Sequence, residues 1–355
     1  MKETVRLRIT TLTPVSIGSG AILSPYADYI IDESNKQICF VDKQKLQQII
    51  AQDDRWLDAY VQGIATGMDN NRSDFDLKSF LLNNRIVRDI DEVVAYRCNA
   101  VFSLKGKLQI QAISKSPLQE PYFPGSTIKG ALKTVLMYDW LKNKGQEADR
   151  LIQSIIDDNR KDFKELESKF SETLAQVTDS RYLNRGDNIV VDCDRKMPLR
   201  IECIGRGLST EFELTLTDCQ WSALAKQANN YAWDCIDREL DVVEDKKDYL
   251  KYFNRMVDIQ DNIHARLKDS EGVAYLRVGF GKGYYLNSVG KAIYDYVQGQ
   301  SDTVYNRWED FINDQFARKD RFGNKQFIPL EEFPRTRLMV KATQEPLGWI
   351  KIEKI

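Results

Sequence analysis

The strongest constraint on this chain is that stretches of alternating apolar and polar residues are separated by long amphipathic segments. Val5, Leu7 and Ile9 alternate with polar neighbours, a period of two that predicts a strand with one buried face. Residues 211–217 repeat this pattern. Between them, apolar residues spaced three or four apart predict an amphipathic helix after Pro124. Further strands are predicted at 27–40 (a hairpin), 104–113, 188–192, 199–203, 274–278 and in the terminal WIKIEKI. Helix is predicted at 43–84, 148–177 and 221–264.

The order of these elements predicts the fold class. Strand, helix, strand pair, helix and strand give the βαββαβ order of a ferredoxin-like (RRM-like) core, an α+β fold that here carries large helical inserts. The glycine turn IGRGLST predicts that 199–203 and 211–217 form a hairpin. The last strands leave room for a second, degenerate ferredoxin-like module. We therefore expect an N-terminal module at 1–195 and a C-terminal module at 196–355.

Composition limits the class of protein but does not choose a ligand. Lys and Arg number 51 against 53 Asp and Glu, so a polyanion would need a local excess of positive charge. The six cysteines form no C-x-x-C pair and His264 is the one histidine, which argues against zinc and fits a reducing compartment. No apolar run approaches the ~18 residues that a membrane span needs, and the N-terminus lacks a signal peptide's apolar run. We expect a cytoplasmic protein with no metal, no cofactor and no membrane association.

Positive charge is concentrated around PYFPGSTIKGALKTVL at 121–136. Residues 102–145 carry seven lysines and two acidic residues, a surplus of +5, whereas 146–180 carries five basic and nine acidic residues. Ser126 or Thr127 can cap the new helix, and Lys129 and Lys133 then lie one turn apart. A capped helix start beside lysines predicts an anion site. The alternative for any one lysine is a solvated face.

Two familiar nucleotide motifs are incomplete here. Gly125 and Gly130 have P-loop spacing, but Ala131 and Leu132 replace the required Lys and Ser/Thr, which excludes an NTPase of this type. In GFGKGYY, Tyr284 stands where a dinucleotide fingerprint needs its third glycine.

Three glycine loops remain, at 17–20, 124–130 and 278–283. Their backbone can approach a ligand closely, and exposed amides in such loops hold phosphates. Phe280, Tyr284 and Tyr285 offer rings on which bases can stack. Together the loops predict a single-stranded RNA site. The alternative is that the glycines only turn corners and the aromatic residues fill the core.

TLTPVSIGSG, FPGSTIKGALK and VGFGKGYYLN, in this order, resemble the three hallmarks of the RAMP proteins of CRISPR systems. The similarity is greatest to the RAMP subunit that caps the 3′ side of the crRNA in type III-A (Csm) effector complexes. The resemblance implies a ferredoxin-like fold and a non-catalytic crRNA-binding role in antiviral defence, in complex assembly and in crRNA 3′-end maturation. It also implies as partners the crRNA, the target RNA through the guide, backbone RAMP subunits and other Csm subunits, and, as a further candidate, a host trimming nuclease.

The family's RNA-contact motifs, together with their loop neighbours, give the expected RNA-binding residues. Position 133 is often Arg in the family, and Lys keeps the charge without the bidentate fork. The family's HD and G-G-D-D motifs do not occur in this sequence, which excludes the large signalling subunit. The expected residues are Gly18, Ser19, Gly20, Gly125, Ser126, Thr127, Lys129, Lys133, Gly279, Phe280, Gly281, Lys282, Gly283 and Tyr284.

Other functions remain open at this point. Some RAMP relatives process crRNA with a histidine, so the alternative is a metal-independent crRNA-processing endoribonuclease that uses His264. Others cut target RNA with an aspartate after the first strand, a region in which Asp28 and Asp32 lie. A third possibility is an assembly protein that never touches RNA. We expect no catalytic residue.

Overall fold

The computed structural model describes residues 2–70, 75–102, 108–157, 160–194, 199–244, 246–267, 272–320, 322–334 and 337–355. Its strands are β1 Lys2–Thr11, β2 Gly18–Leu23, β3 Tyr29–Asp32, β4 Gln37–Val41, β5 Val94–Val101, β6 Ile110–Ile113, β7 Gln176–Val177, β8 Asn188–Cys193, β9 Leu199–Ile204, β10 Ser209–Thr217, β11 Ala274–Arg277 and β12 Trp349–Lys354. Its helices are α1 Lys43–Ile50, α2 Asp54–Asn70, α3 Leu77–Asn83, α4 Gly125–Asn143, α5 Gln146–Ile156, α6 Arg160–Thr173, α7 Trp221–Val243, α8 Leu250–Leu267, α9 Gly290–Gln298 and α10 Asp302–Phe316.

The alternating strands predicted at the two ends of the chain lie side by side. Across the described residues, the first sheet has the order β11-β12-β1-β10-β7, and every neighbouring pair in it is antiparallel. Val5, Leu7 and Ile9 are at most 3% exposed, and Leu7 lies opposite Phe212. The period-two prediction for β1 and β10 is confirmed, because both strands bury the same face against the helices.

The second sheet has the order β2-β6-β9-β8-β5-β4-β3 within the described ranges. The hairpin predicted at 27–40 is confirmed as β3 and β4. The hairpin predicted between 199–203 and 211–217 is wrong, because β9 pairs with β6 and β8 in the second sheet while β10 pairs with β1 in the first. Gly207, at φ +81°, lies in the turn that carries the chain from one sheet to the other. Residues 103–107 of the strand predicted at 104–113 lie outside the described residues.

The helix α4 forms the centre of the main core. Its five predicted apolar positions are all buried, and the helix packs against α5, α6 and α7. The predicted helix at 148–177 is too long at its end, because α6 stops at Thr173 and Val177 pairs with Leu214 of β10. The apolar residues of α4 predicted to face the core are Ile128, Leu132, Val135, Leu136 and Trp140.

The fold is therefore α+β, with two sheets and helices packed on them. The predicted division at 195 falls between β8 and β9, which pair with each other. In the first sheet, β1 lies between β10 and β12, so strands from both sides of the division interlock. The division into two modules stays a prediction. Any such modules would share both sheets, because strands from each side of residue 195 pair with one another.

Candidate nucleic-acid interface

The first and third glycine loops contact each other directly. The Phe280 N–H donates to the Ser16 carbonyl oxygen at 2.7 Å. Gly279 has φ +72°, and a Cβ there would lie 2.2 Å from the same oxygen, so only glycine fits at this crossing. The loop between β1 and β2 and the loop after β11 are thus held together through their backbones.

The second motif is reached from the first through two further backbone contacts. The Ser114 N–H donates to the Ile17 carbonyl at 2.8 Å, and Lys115 then forms a β-bridge with Pro121. Four residues later, Gly125 begins α4. The three predicted loops are therefore one connected set of segments, although they are far apart in the chain.

The start of α4 differs from the predicted cap. Pro124 is the N-cap and no side chain of the helix caps it, so the prediction for Ser126 or Thr127 is wrong. Instead, the Asp179 carboxylate accepts the Gly125 N–H at 2.7 Å. This carboxylate already takes one of the amides that we expected to be open to a phosphate.

Acidic residues of α6, α7 and β9 neutralise much of the lysine surplus near α4. Lys133 Nζ lies 2.5 Å from Glu167 Oε1 of α6, and the nearly buried Lys115 lies 2.9 Å from Glu202. Lys142 pairs with Asp234. Lys129, in contrast, is half-buried and has no ion-pair partner among the described residues. Of the predicted pair on α4, Lys129 is thus the better placed to receive a phosphate.

The third loop carries a lysine in a poorly solvated position. Gly281 and Gly283 have φ values of +87° and +77°, so the backbone doubles back around Lys282. Burial lowers the pKa of Lys282, and the nearby Arg277 guanidinium lowers it further. A phosphate beside Lys282 would therefore stabilise a charge that the fold alone solvates poorly.

A buried ionic network holds the end of β11, where this loop begins. Arg277 Nη1 lies 3.3 Å from Glu239 Oε2, and the Tyr252 hydroxyl donates to Glu239 at 2.6 Å. Arg277 Nε also donates to the Leu347 carbonyl at 2.7 Å. This network fixes the end of β11, from which the glycine-rich loop departs.

The aromatic residues of the third loop have different surroundings. Phe280 is 36% exposed, so its ring is available at the surface. Tyr285 is 1% exposed, and the expectation that its ring could stack on a base is wrong because it belongs to the core. Tyr284 is half-buried, and burial raises its pKa to about 12.

An aromatic and basic segment beside the α4 start was not predicted. The Ser180 N–H donates to the Phe123 carbonyl and the Leu183 N–H to the Pro121 carbonyl, which places 180–183 against the second motif. The Tyr182 ring is 59% exposed and meets the Tyr122 ring edge-on at 5.6 Å. The one sequence signal for this segment was the mixture of basic and aromatic residues in SRYLNR.

The candidate catalytic residues lie in other settings. His264 is exposed on α8, with its ring 5.3 Å from that of Trp233. Asp28 accepts the Ser24 N–H and pairs with Lys43, both at 2.6 Å. Hydrogen bonds from Asn35 lower the pKa of Asp32. Both aspartates thus brace the turns around β3.

Two absences hold for the described part of the chain. No group of three or more His, Cys, Asp or Glu side chains is arranged to bind a metal ion there. None of the helices in those ranges has the length and apolar character to cross a membrane.

The chain is similar to known proteins both in sequence and in fold. The model of the RAMP superfamily matches residues 8–311. The CRISPR system protein Csm5 of Methanocaldococcus jannaschii is 23% identical, over 98% of this chain and 88% of the relative. Among solved structures, a chain of the cryo-EM structure of a type III-A Csm–crRNA–target RNA ternary complex has a TM-score of 0.66 at 18% identity and covers 99% of this chain and 100% of its own. The crystal structure of T. onnurineus Csm5 has a TM-score of 0.56 at 19% identity, with 97% and 99% covered.

The family match spans most of the chain and includes all three glycine loops. The chain belongs to the RAMP superfamily.

Proposed function

We propose that this chain is the crRNA-binding subunit that caps the 3′ side of the guide in a type III-A (Csm) interference complex. The observation that carries the proposal is the match to a Csm5 protein over 98% of this chain and 88% of that relative. The fold likeness to a chain from a Csm–crRNA–target RNA complex supports it. Its partners are then crRNA, target RNA paired to the guide, and the neighbouring Csm subunits, and its role extends to crRNA 3′-end maturation.

The connected loops supply the RNA-binding surface in this proposal. Glycine at 18 and 20 leaves room for a strand, because a Cβ at either position would have open space within 4 Å. Gly281 and Gly283 instead allow the positive φ values of the third loop. Lys129 and Lys282 supply charge, and Phe280 supplies a ring. Contacts of this kind read the backbone rather than the base edges, so binding should tolerate any spacer sequence and weaken as salt increases.

We also propose that the first sheet contains a ferredoxin-like core. The strands β12-β1-β10-β7 are antiparallel neighbours, and α4 and α7 follow β1 and β10 in the chain and pack together. This order corresponds to strands four, one, three and two of a βαββαβ unit, with β11 added at the edge.

The proposal assigns no catalytic step to the chain. A general acid or base must reach its proton directly or through one water, and the His264 ring packs on Trp233 rather than on any of the three loops. The endoribonuclease alternative therefore has no observation in its favour.

Reconstitution tests the proposal. The other Csm subunits and a repeat–spacer transcript are expressed with or without this chain, and the crRNA recovered from the purified complexes is sized. We expect complexes without the chain to carry longer and more heterogeneous 3′ ends. The His264→Ala variant is the control and should restore the parent lengths. Unchanged crRNA lengths without the chain would refute the proposal, and His264-dependent cleavage in EDTA would favour the enzyme.

A further inference from the structure

An aromatic-lined cleft lies directly beside the glycine-rich loop. Its volume is about 730 Å³, within the range of ~300–1,000 Å³ in which proteins hold small ligands. One wall comes from the loop itself, through Gly283 and Tyr284. The others come from the end of α10 and, further along the chain, from Arg318, Gln326, Ile328, Phe333 and Pro334.

Three rings form the aromatic part of this cleft. Phe333 is 4% exposed, whereas Phe316 at the end of α10 is 42% exposed. The Tyr284 ring lies 5.1 Å from each of them, edge to face. These contacts fix the rings in place, and the exposed part of Phe316 leaves apolar surface open to a ligand.

The remaining lining is polar and suited to the edge of a heterocycle. Asn287, Gln315 and Gln326 line the cleft, and within the described residues their side chains have no hydrogen-bond partner. An amide side chain both donates and accepts, so it can pair with the mixed edge of a base. The Ser288 hydroxyl differs, because it already donates to the Tyr284 carbonyl and accepts the Gly290 N–H.

The charges around the cleft define the side from which a polyanion can enter. Arg318 lines the cleft and is exposed, as is the adjacent Lys319. Beyond Gln315 lie the carboxylates of Asp157, Asp310 and Asp314. Asp157 pairs with Arg307 and Asp314 with Lys325, which leaves Asp310 without an ion-pair partner among the described residues. A strand would therefore approach from the glycine-rich loop and not across α10.

We propose that this cleft receives one unstacked base of the RNA strand that the glycine-rich loop holds. The inference rests on the proposed RNA-binding function and adds to it a specific nucleotide subsite. A single base meets the aromatic rings with its face and the amides with its edge, while its phosphate remains near Lys282 and Arg318.

Phe316→Ala and Phe327→Ala form the test pair in the full chain. Phe327 is 56% exposed on the same segment but does not line the cleft, so its loss serves as the control. Loss of one base–aromatic stack corresponds to a reduction in affinity of about 5- to 150-fold. We expect that reduction for a single-stranded oligoribonucleotide with Phe316→Ala, no reduction with Phe327→Ala and recovery with Phe316→Trp.

Crosslinking with 4-thiouridine identifies the occupant. Oligoribonucleotides with the label at successive positions are irradiated in the assembled complex, and the crosslinked peptides are identified by mass spectrometry. We expect one position to crosslink to the peptide that contains Tyr284 or Phe316, and the crosslink to disappear in Phe316→Ala. Equal affinities of Phe316→Ala and Phe327→Ala would overturn the inference, as would a neighbouring subunit on the cleft with no RNA crosslink.

A lysine variant separates this inference from the proposed function. If Lys129→Ala weakens RNA binding and Phe316→Ala does not, the subsite is wrong and the RNA-binding function stands. If the parent chain itself binds no RNA, the proposed function fails and the subsite with it.

Discussion

At the residue scale, two glycines five positions apart in one motif, Gly125 and Gly130, have opposite surroundings. A Cβ at Gly125 would lie 2.3 Å from the Val177 carbonyl oxygen, whereas a Cβ at Gly130 would meet nothing within 4 Å. Gly125 is therefore required by the close approach of two backbones. Gly130 lies inside α4, where glycine costs stability relative to alanine.

Alanine at these two positions should have opposite effects on stability. Gly125→Ala forces the 177–178 backbone away from α4, and we expect a loss of about 1–3 kcal/mol in the free energy of unfolding. Gly130→Ala should raise it by about 1 kcal/mol. Denaturant melts of the two variants beside the parent measure both values. A Gly125→Ala chain as stable as the parent would contradict the packing described for the start of α4.

The two lysines of α4, Lys129 and Lys133, should contribute differently to RNA affinity. Lys129 has no ion-pair partner among the described residues, whereas Lys133 is held by Glu167. We expect Lys129→Ala to weaken RNA binding equally for all spacer sequences and to reduce the salt dependence by about one phosphate contact.

Lys133→Ala is the matched control for that experiment. It removes a partly exposed ion pair worth about 0–1 kcal/mol and should change RNA affinity less. Filter binding at several salt concentrations measures both variants. A larger effect of Lys133→Ala would show that the Glu167 pair opens when RNA binds.

At the element scale, the N-terminus of α4 is capped by a residue that is distant in the chain and not by a neighbouring side chain. The carboxylate that accepts the Gly125 N–H comes from Asp179, 54 residues further along the chain. The same segment carries Tyr182 to the start of the helix. A helix start that would attract a phosphate thus already has an anion beside it, which moderates the field of the α4 N-terminus.

Substitution of Asp179 by asparagine or alanine should distinguish the effect of the helix cap from the effect of the negative charge. Asp179→Asn keeps a side-chain acceptor and removes the negative charge, so we expect nearly unchanged stability and RNA affinity about two- to fivefold higher at low salt. Asp179→Ala removes the acceptor as well and should cost about 1 kcal/mol of stability. Thermal melts and RNA titrations of both variants measure these effects. Lower RNA affinity of Asp179→Asn would mean that no phosphate approaches this helix start.

At the scale of the whole molecule, the two ends of the chain meet in one sheet. β12 lies between β11 and β1, and Trp349, Ile350 and Ile352 are fully buried. The glycine-rich loop follows β11, and the first loop follows β1. The last strand therefore joins the elements that hold the two contacting loops.

Removal of the last strand should unfold the first sheet. A chain that ends after Leu347 loses three buried apolar side chains and the strand between β11 and β1, so we expect no cooperative melting transition and no RNA binding. A chain that lacks only Ile355, which is 44% exposed, is the control and should behave as the parent. A cooperative transition in the truncated chain would contradict a shared core and would support a separately folding N-terminal module.

The sequence by itself determined the local features. Period-two alternation at 5–10 and 211–217 identified the strands, the spacing of apolar residues identified the buried face of α4, and the glycine loops marked the candidate interface. These signals are local, because strand and helix periodicity and turn geometry depend on neighbouring residues. The family resemblance depended on the same short motifs.

Only the tertiary structure decided how distant segments combine. It placed β9 and β10 in different sheets, set Glu167 against Lys133, supplied the Asp179 cap and put Tyr285 in the core. The reason is physical: pairing of strands and charges that lie tens to hundreds of residues apart in the chain depends on the packing of the whole core, which no local pattern encodes. For the same reason the cleft beside the glycine-rich loop, built from three separate segments, was invisible in the sequence.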